Sequence, residues 1–330
     1  MKLLVVTVNK NDSTSFYRAN GVLGDLKKQM PLEITSINYT DMLDWTWATF
    51  IMFDVIFMQR PFREVGFQIA QFCRNLNIPL WIDYDDNLLD IPKDNKSYAV
   101  YGNEMVKKNI IETIKLANVV TVSTNALKEV LKAHNPNIRV IPNAFNDHIF
   151  NYRSQTIRKR GNLMLWRGSD THNLDIYTYK DQINEMQSLF TNCVFAYCGF
   201  NPFFINETSN KRHFKTIDPI QYFKQIYGWS PMAMQVPLAD SIFNRCKSNI
   251  AWIEGSFAGA VCLVPDWEEW QMPGTVRYSN PAEYGEKMKL LLNNNFNYRK
   301  YNDLSWEYIM DNLTLSRVNG QRIEILKGLL

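Results

Sequence analysis

The chain has 330 residues, of which 46% are apolar and 13% aromatic, with 36 basic against 33 acidic side chains. That length usually makes roughly two domains, and the apolar content suffices for two buried cores, so disorder is excluded as the default. A formal net charge of +3 is far from the strongly basic balance of a dedicated nucleic-acid binder. The apolar start at residues 3–8 is one strand long and runs into Asn9, Lys10, Asn11 and Asp12, without the core or cleavage site of a signal peptide. The run at residues 46–58 is interrupted by Asp54 and is too short to span a bilayer. A cytoplasmic protein is expected. The five cysteines, Cys73, Cys193, Cys198, Cys246 and Cys262, are odd in number and form no Cys-x-x-Cys pair, which points to buried free thiols rather than disulfides or zinc. His134, His148, His172 and His213 are dispersed and lack the spacing of a zinc-binding helix.

Short β-rich runs alternate with segments of helical period, the pattern of a parallel sheet with crossover helices. Residues 2–8 read as the first strand and 54–58 as the next. In residues 63–76, Val65, Ile69, Phe72 and Leu76 repeat every three to four positions, predicting one buried helix face. A strand follows at 79–82, then a helix marked by Val106, Ile110, Ile114 and Ala117, and a strand at 119–122. Thr124 is placed to cap the helix carrying Leu127, Val130 and Leu131, and residues 139–141 close this half. Residues 151–161 are polar and basic, with Arg153, Arg158, Lys159 and Arg160, and suit a surface linker. The alternation restarts with strands at 163–166, 193–197, 232–236 and 261–264. Asn280-Pro281 begins a helix with Tyr284, Met288 and Leu291 on one face, and a helical tail takes up about the last thirty residues. The expected domains are 1–155 and 156–312, with 313–330 packing back on the first.

Two such sheets imply two sets of strand ends at a shared crevice, where ligands bind in folds of this kind. Three segments there could carry chemistry. Asp83-Tyr84-Asp85-Asp86 directly follows a strand; it reads either as a capped turn, or as a cluster that binds a metal, orients an acceptor hydroxyl or supplies a base. In Trp166-Arg167-Gly168-Ser169-Asp170-Thr171-His172, glycine allows close backbone approach while Arg167 and Ser169 could hold phosphate oxygens; His172 is either structural or catalytic. The third segment runs through Asn244, Cys246, Lys247, Ser248 and Asn249 into Glu254. Ile250, Ile253 and Phe257 make one helix face, so Lys247 and Ser248 fall at the helix start, where free amides and a point charge suit a diphosphate. Glu254 could accept hydrogen bonds from both hydroxyls of a ribose, or be an ordinary solvated helix residue.

At these residues the chain resembles the retaining GT-B glycosyltransferases of family four, and more narrowly a branch of group-one transferases common in bacterial surface-sugar clusters and phage genomes. The resemblance is carried by Ser15-Phe16-Tyr17-Arg18, residues 83–92, 121–124, 140–145, 166–172 and 243–259, in that order. It implies an α/β architecture of two Rossmann-like, doubly wound parallel-sheet domains facing a central cleft, with the nucleotide-sugar donor site in the second domain. Arg167 and Lys247 take the family's basic positions, Gly168, Ser169 and Asn244 flank them, Ser248 and Asn249 match the helix start, and Glu254 matches the second glutamate of its Glu-x7-Glu motif. The first glutamate position holds Cys246. Asp85 or Asp86 stands where many relatives carry a histidine contacting the sugar. Tyr17, Arg18 and Asp83 fall on the acceptor side. No metal and no cofactor beyond the nucleotide diphosphate sugar is implied, because basic residues and the helix end stabilise the leaving diphosphate.

The expected reaction moves one sugar to an acceptor hydroxyl, with Asp85, Asp86, His172 and Lys247 as catalytic candidates. The acceptor is a surface glycan or lipid, or a hydroxymethylated pyrimidine in DNA of phage type. Lys27, Lys28, Lys107, Lys108 and the linker arginines could face an anionic lipid or DNA partner. A sugar-nucleotide epimerase, a phosphorylase and an inactive binding module on the same fold are the competing readings.

Overall fold

Runs of β-branched and aromatic residues bounded by turn formers build two parallel sheets. The computed structural model describes residues 1–42, 46–150, 161–293 and 295–330; apart from Gly161, the expected linker lies outside them. The first sheet holds β1 (Lys2–Thr7), β2 (Glu33–Asn38), β3 (Val55–Gln59), β4 (Leu80–Tyr84), β5 (Val119–Val122) and β6 (Ile138–Val140) in the order β2-β1-β3-β4-β5-β6. The second holds β7 (Leu163–Gly168), β8 (Val194–Gly199), β9 (Lys211–Phe214), β10 (Ala233–Gln235), β11 (Val261–Pro265) and β12 (Val276–Tyr278) in the order β12-β11-β10-β7-β8-β9. All strand pairs are parallel. In each sheet the winding reverses beside the first strand, between β1 and β3 and between β7 and β10, and a ligand crevice forms at such switch points. This is the two-domain GT-B architecture.

Three strands escape the sequence reading, β2, β9 and β12, and each lies at a sheet edge. Edge strands are half solvated, so Glu33-Ile34-Thr35-Ser36-Ile37-Asn38 and Lys211-Arg212-His213-Phe214 lack the continuous apolar run of a central parallel strand. The helix Glu64–Leu76 also differs from expectation. Its buried face is Gly66, Ile69, Ala70 and Cys73, whereas Phe72 and Leu76 are 40% and 36% exposed. Small residues bring it close to its neighbours: a Cβ on Gly66 would lie 2.9 Å from Pro61 Cβ. The displaced Phe72 stacks on Phe50.

Central strands alternate faces, as the pleat requires. Leu4, Val6, Ile56 and Met58 enter one core cluster, and Leu3, Val5, Val55 and Phe57 the other. The second cluster is completed from the far end of the chain, by Leu315, Val318, Ile325 and Leu326 of the helix Leu315–Leu329. The chain reaches it by pairing Phe145 with the segment before that helix: Phe145 N donates to Leu313 O at 2.8 Å and Leu315 N to Phe145 O at 2.7 Å.

The first domain also buries an ion pair. Arg18 Nε and Nη2 donate to Asp83 Oδ1 and Oδ2 at 3.0 and 2.7 Å, and both residues are 2% exposed. Arg18 Nη1 reaches Ile141 O at 2.6 Å and Asn143 Oδ1 at 3.2 Å, while Thr121 Oγ1 donates to Asp83 at 2.6 Å and accepts from Trp81 Nε1 at 2.9 Å. Arg18 and Asp83 therefore tie the helix Ser13–Arg18 to the ends of β4 and β5 and to the chain after β6, and neither lines the cleft wall expected to hold the acceptor. Removing one partner of a buried pair leaves an uncompensated charge, so Arg18→Met should destabilise the protein by about 3–5 kcal/mol, measured as a fall in the urea midpoint; a loss under about 1 kcal/mol would contradict this account.

Candidate functional site

A cleft of about 470 Å³ is lined by loops from both sheets. Its floor on the second-domain side follows from two local features. β7 ends in Arg167 and Gly168, where a Cβ would meet the Trp166 ring at 2.7 Å. The helix Ile250–Ala258 follows Asn249 and is stopped by Gly259 at φ 90°, a left-handed conformation that glycine adopts without strain. The first amides of such a helix have no intrahelical partner, and Ser248, Ile250 and Ala251 line the cleft beside them.

Glu254 points from this helix into the cleft floor and is 3% exposed. Arg167 Nε donates to its Oε2 at 2.8 Å, and Tyr17 Oη, from the first domain, donates to its Oε1 at 2.7 Å. Burial pushes the Tyr17 phenol well above its usual range and Glu254 adds to the effect, so Tyr17 stays a donor. Burial opposes the Arg167 charge, but Glu254 more than restores it and the guanidinium is held above its ordinary value.

Across the cleft, Arg60 gathers the aspartates. Its Nε and Nη2 hold Asp85, the latter at 2.7 Å, and Nη2 also reaches Asp86 at 2.6 Å. Arg60 sits at φ 47°, a conformation costly for a side-chain-bearing residue and often found at functional sites. Lys247 Nζ approaches Asp86 from the second domain at 3.7 Å. Burial raises the Asp85 carboxyl, with Arg60 opposing and Asp86 adding. For Asp86 burial also acts upward, but Lys247 and Arg60 outweigh it and bring the carboxyl down to about 2. Asp83 turns the other way, to Arg18, so the three carboxylates do not converge; among the described residues no group of three or more His, Cys, Asp and Glu is placed to hold a metal ion.

His172 lines the cleft, and its Nδ1 lies 2.8 Å from Asp175 Oδ2. The other oxygen, Asp175 Oδ1, accepts from Ala239 N at 3.1 Å and from Asn244 Nδ2 at 2.6 Å. An aspartate with this many donors acts as an acceptor throughout, so Nδ1 carries the proton and Nε2 presents its lone pair. Burial, helped by Lys247, lowers the His172 pKa below 6.5 despite Asp175, which keeps the ring neutral.

Of the residues expected at the site, Tyr17, Asp85, Asp86, Arg167 and Gly168 line the cleft, as do Ser169, His172, Lys247, Ser248 and Glu254. Arg18, Asp83, Asn244 and Asn249 do not; they are 2–3% exposed and brace the wall from behind, Asn244 through Asp175 and Asn249 through Glu269 O at 3.2 Å. Arg60, Asp175 and Gln235 were not foreseen. Asp175 was findable as the acid one helical turn after His172; Arg60 carried no local signal. Lys28 and Lys107 pair with Asp25 and Glu104 at 2.7 and 3.0 Å, away from the cleft lining, and the linker arginines lie outside the described residues. No described helix is long and apolar enough to cross a membrane.

The two domains are joined along a seam beside this cleft. Thr124 Oγ1 donates to Cys246 O at 2.9 Å, Asn143 Nδ2 to Ser248 Oγ at 2.7 Å, and Asn95 Nδ2 to Thr171 O at 2.9 Å. Phe243 and Cys246 of the second domain enter the core cluster of the first.

No family model matches the chain, and none of the curated proteins matches it by sequence. Solved structures do match in fold. HepE of Anabaena, solved in complex with UDP, aligns at TM-score 0.67 over 99% of this chain and 100% of its own, with 11% identity. A trehalose-6-phosphate synthase aligns at 0.64 over the full length of both, with 10% identity. A Listeria monocytogenes structure assigned as UDP-N-acetylglucosamine 2-epimerase aligns at 0.57 over 92% of this chain and 91% of its own, with 14% identity.

All five cysteines are free and buried, and burial pushes the thiols of Cys73, Cys193 and Cys198 up to about 12 and that of Cys246 to about 11. A disulfide reagent at pH 8 should therefore label the folded protein on the order of 100-fold more slowly than the urea-unfolded chain; fast labelling located at Cys246 by peptide mapping would show that the seam around it opens.

Proposed function

We propose that the protein transfers a glycosyl unit from a nucleotide diphosphate sugar to an acceptor hydroxyl. The observation that carries this reading is the buried Glu254 carboxylate, held by Arg167 at the end of β7 and flanked by Lys247 and a helix N-terminus at the switch point of the second sheet. A ribose diol suits the carboxylate, and the diphosphate suits the basic pair and the free amides. The same fold carries UDP in HepE and UDP-glucose in a second HepE structure, which supports a uridine nucleotide as the first donor to try.

In the reaction the bond from sugar C1 to the diphosphate oxygen breaks and its electron pair stays on the diphosphate. Lys247, Arg167 and the amides near Ser248 stabilise that developing charge. A bond forms from C1 to the acceptor oxygen, whose proton passes to His172 Nε2, with Asp175 orienting the ring as a positioning residue. Asp85 and Asp86 hold the acceptor side. Residues 1–155 act as the acceptor domain and 156–312 as the donor domain, with the protein working in the cytoplasm. Both acceptor classes considered from the sequence, a surface glycan or lipid-linked sugar and a hydroxymethylated pyrimidine in DNA, offer the hydroxyl this chemistry needs. The likeness to the structure assigned as an epimerase favours a second reading, conversion of the nucleotide-sugar itself; an altered sugar released without any acceptor would distinguish it.

Lys247→Ala should lower kcat by ~10²–10³ with the nucleotide still bound, as for removal of one stabilising donor at a developing anion; an unchanged kcat would overturn the assignment. Glu254→Ala should raise the Kd for the nucleotide roughly 10–100-fold, the loss of hydrogen bonds to a charged group, read by calorimetry. The base form of His172 is lost only below its folded pKa, which lies under 6.5. The rate should therefore hold from neutral pH down to that value and fall at lower pH, and an acidic limb centred above it would exclude His172 as the base.

A further inference from the structure

The two walls of the cleft carry opposite charge. On the second-domain wall Arg167, Lys215 and Lys247 face a single carboxylate, Glu254. Just behind that wall, Gln235 Nε2, Trp270 Nε1 and the Tyr222 hydroxyl are buried with no partner among the described residues. An indole or amide N–H can only donate, so this wall is built for a ligand rich in lone pairs and negative charge.

The first-domain wall is the reverse. Its one cation among the described lining residues is Arg60, and Arg60 is already bound by both Asp85 and Asp86, leaving one net negative charge. Around them lie hydroxyl and amide side chains, Ser13, Thr14, Asn95 and Ser97, and the ring of Tyr101. Outside the lining, Lys96 pairs with Asp170 at 2.6 Å and Arg63 lies over the Phe62 ring at 5.3 Å. Among the described lining residues of this wall no unpaired cation stands to meet a second anion, and Lys247 of the facing wall, 3.7 Å from Asp86, is itself engaged by that carboxylate.

We infer that the acceptor is an uncharged carbohydrate, bound through its hydroxyls by the Asp85–Arg60–Asp86 cluster and the Tyr101 ring, and that phosphorylated sugars and DNA are rejected. This rests on the glycosyl-transfer reading and fixes the substrate class of its second subsite. Sugar hydroxyl pairs donate to carboxylates and sugar C–H faces pack on aromatic rings, whereas a phosphate placed beside Asp86 and Asp85 meets like charge in a partly desolvated site. Asp86 remains ionised far below neutral pH, since Lys247 and Arg60 outweigh the effect of burial, so the repulsion does not relax by protonation. Duplex DNA needs several backbone cations, and Lys27, Lys28, Lys107 and Lys108 all lie off the cleft lining.

The test uses the full chain loaded with UDP, or with whichever nucleoside diphosphate calorimetry finds to bind. Saturation-transfer NMR compares glucose and galactose with their 6-phosphates and with hydroxymethylcytosine-containing duplex DNA, and mass spectrometry follows transfer from the matching nucleotide-sugars. The neutral sugars should bind or react at least tenfold better than their 6-phosphates, and Asp86→Asn should shrink that ratio by about tenfold, a change that loss of fold alone would not produce. Equal or better use of the phosphorylated sugars or of DNA, an unchanged ratio in Asp86→Asn, or no neutral-sugar binding by the nucleotide-loaded protein would each overturn the inference. Failure of every nucleotide and nucleotide-sugar to bind would instead remove the glycosyl-transfer reading beneath it.

Discussion

The cleft depends on one buried charge. A carboxylate taken out of water is costly unless its lone pairs are met, and Glu254 is met from two directions, by Arg167 beneath it and by Tyr17 from the opposite domain. The ion pair fixes where β7 ends relative to the helix Ile250–Ala258. The phenol fixes where the first domain stands relative to the second. A ligand hydroxyl that engages Glu254 must share or replace these donors, so binding at Glu254 is coupled to the contact between domains.

The same logic explains position 246. The resemblance puts a glutamate there, but in this chain the side chain is 1% exposed and packs into the apolar cluster of the first domain. A carboxylate at that point would lose its hydration and face the like charges of Asp86 and Asp90, which with burial already push the Cys246 thiol up, whereas a thiol is a small apolar filler. The adjacent Lys247 takes the polar direction and meets Asp86. The cation thus faces an aspartate of the other domain, across the cleft.

Central strands and their helices were readable because both faces of a parallel strand are buried, leaving runs such as Leu3 to Val6 and Val261 to Val264 with no polar break. Helix starts were readable for a similar local reason: Thr124 accepts from Leu127 N, and Pro281 opens the helix Pro281–Leu292, as the residue types dictate. Three of the four edge strands, β2, β9 and β12, and the buried face of the helix Glu64–Leu76 were not, because half-solvated strands lose their pattern and because close packing through Gly66 and Ala70 outweighs the larger Phe72 and Leu76.

For the site, the sequence by itself determined which residue types stand at which strand ends: the aspartates at and just beyond the end of β4, Arg167 at the end of β7 with His172 after it, and Lys247 and Glu254 around a helix start. Those assignments are local, set by chain order and backbone periodicity. Only the tertiary structure decided what each charge meets. Asp83 belongs to Arg18 in the interior while Asp85 and Asp86 belong to Arg60, although all three stand within four residues. Tyr17 belongs to Glu254, 237 residues away. Burial and pairing depend on partners brought together by two sheets and a seam, and no spacing along one chain encodes that distance.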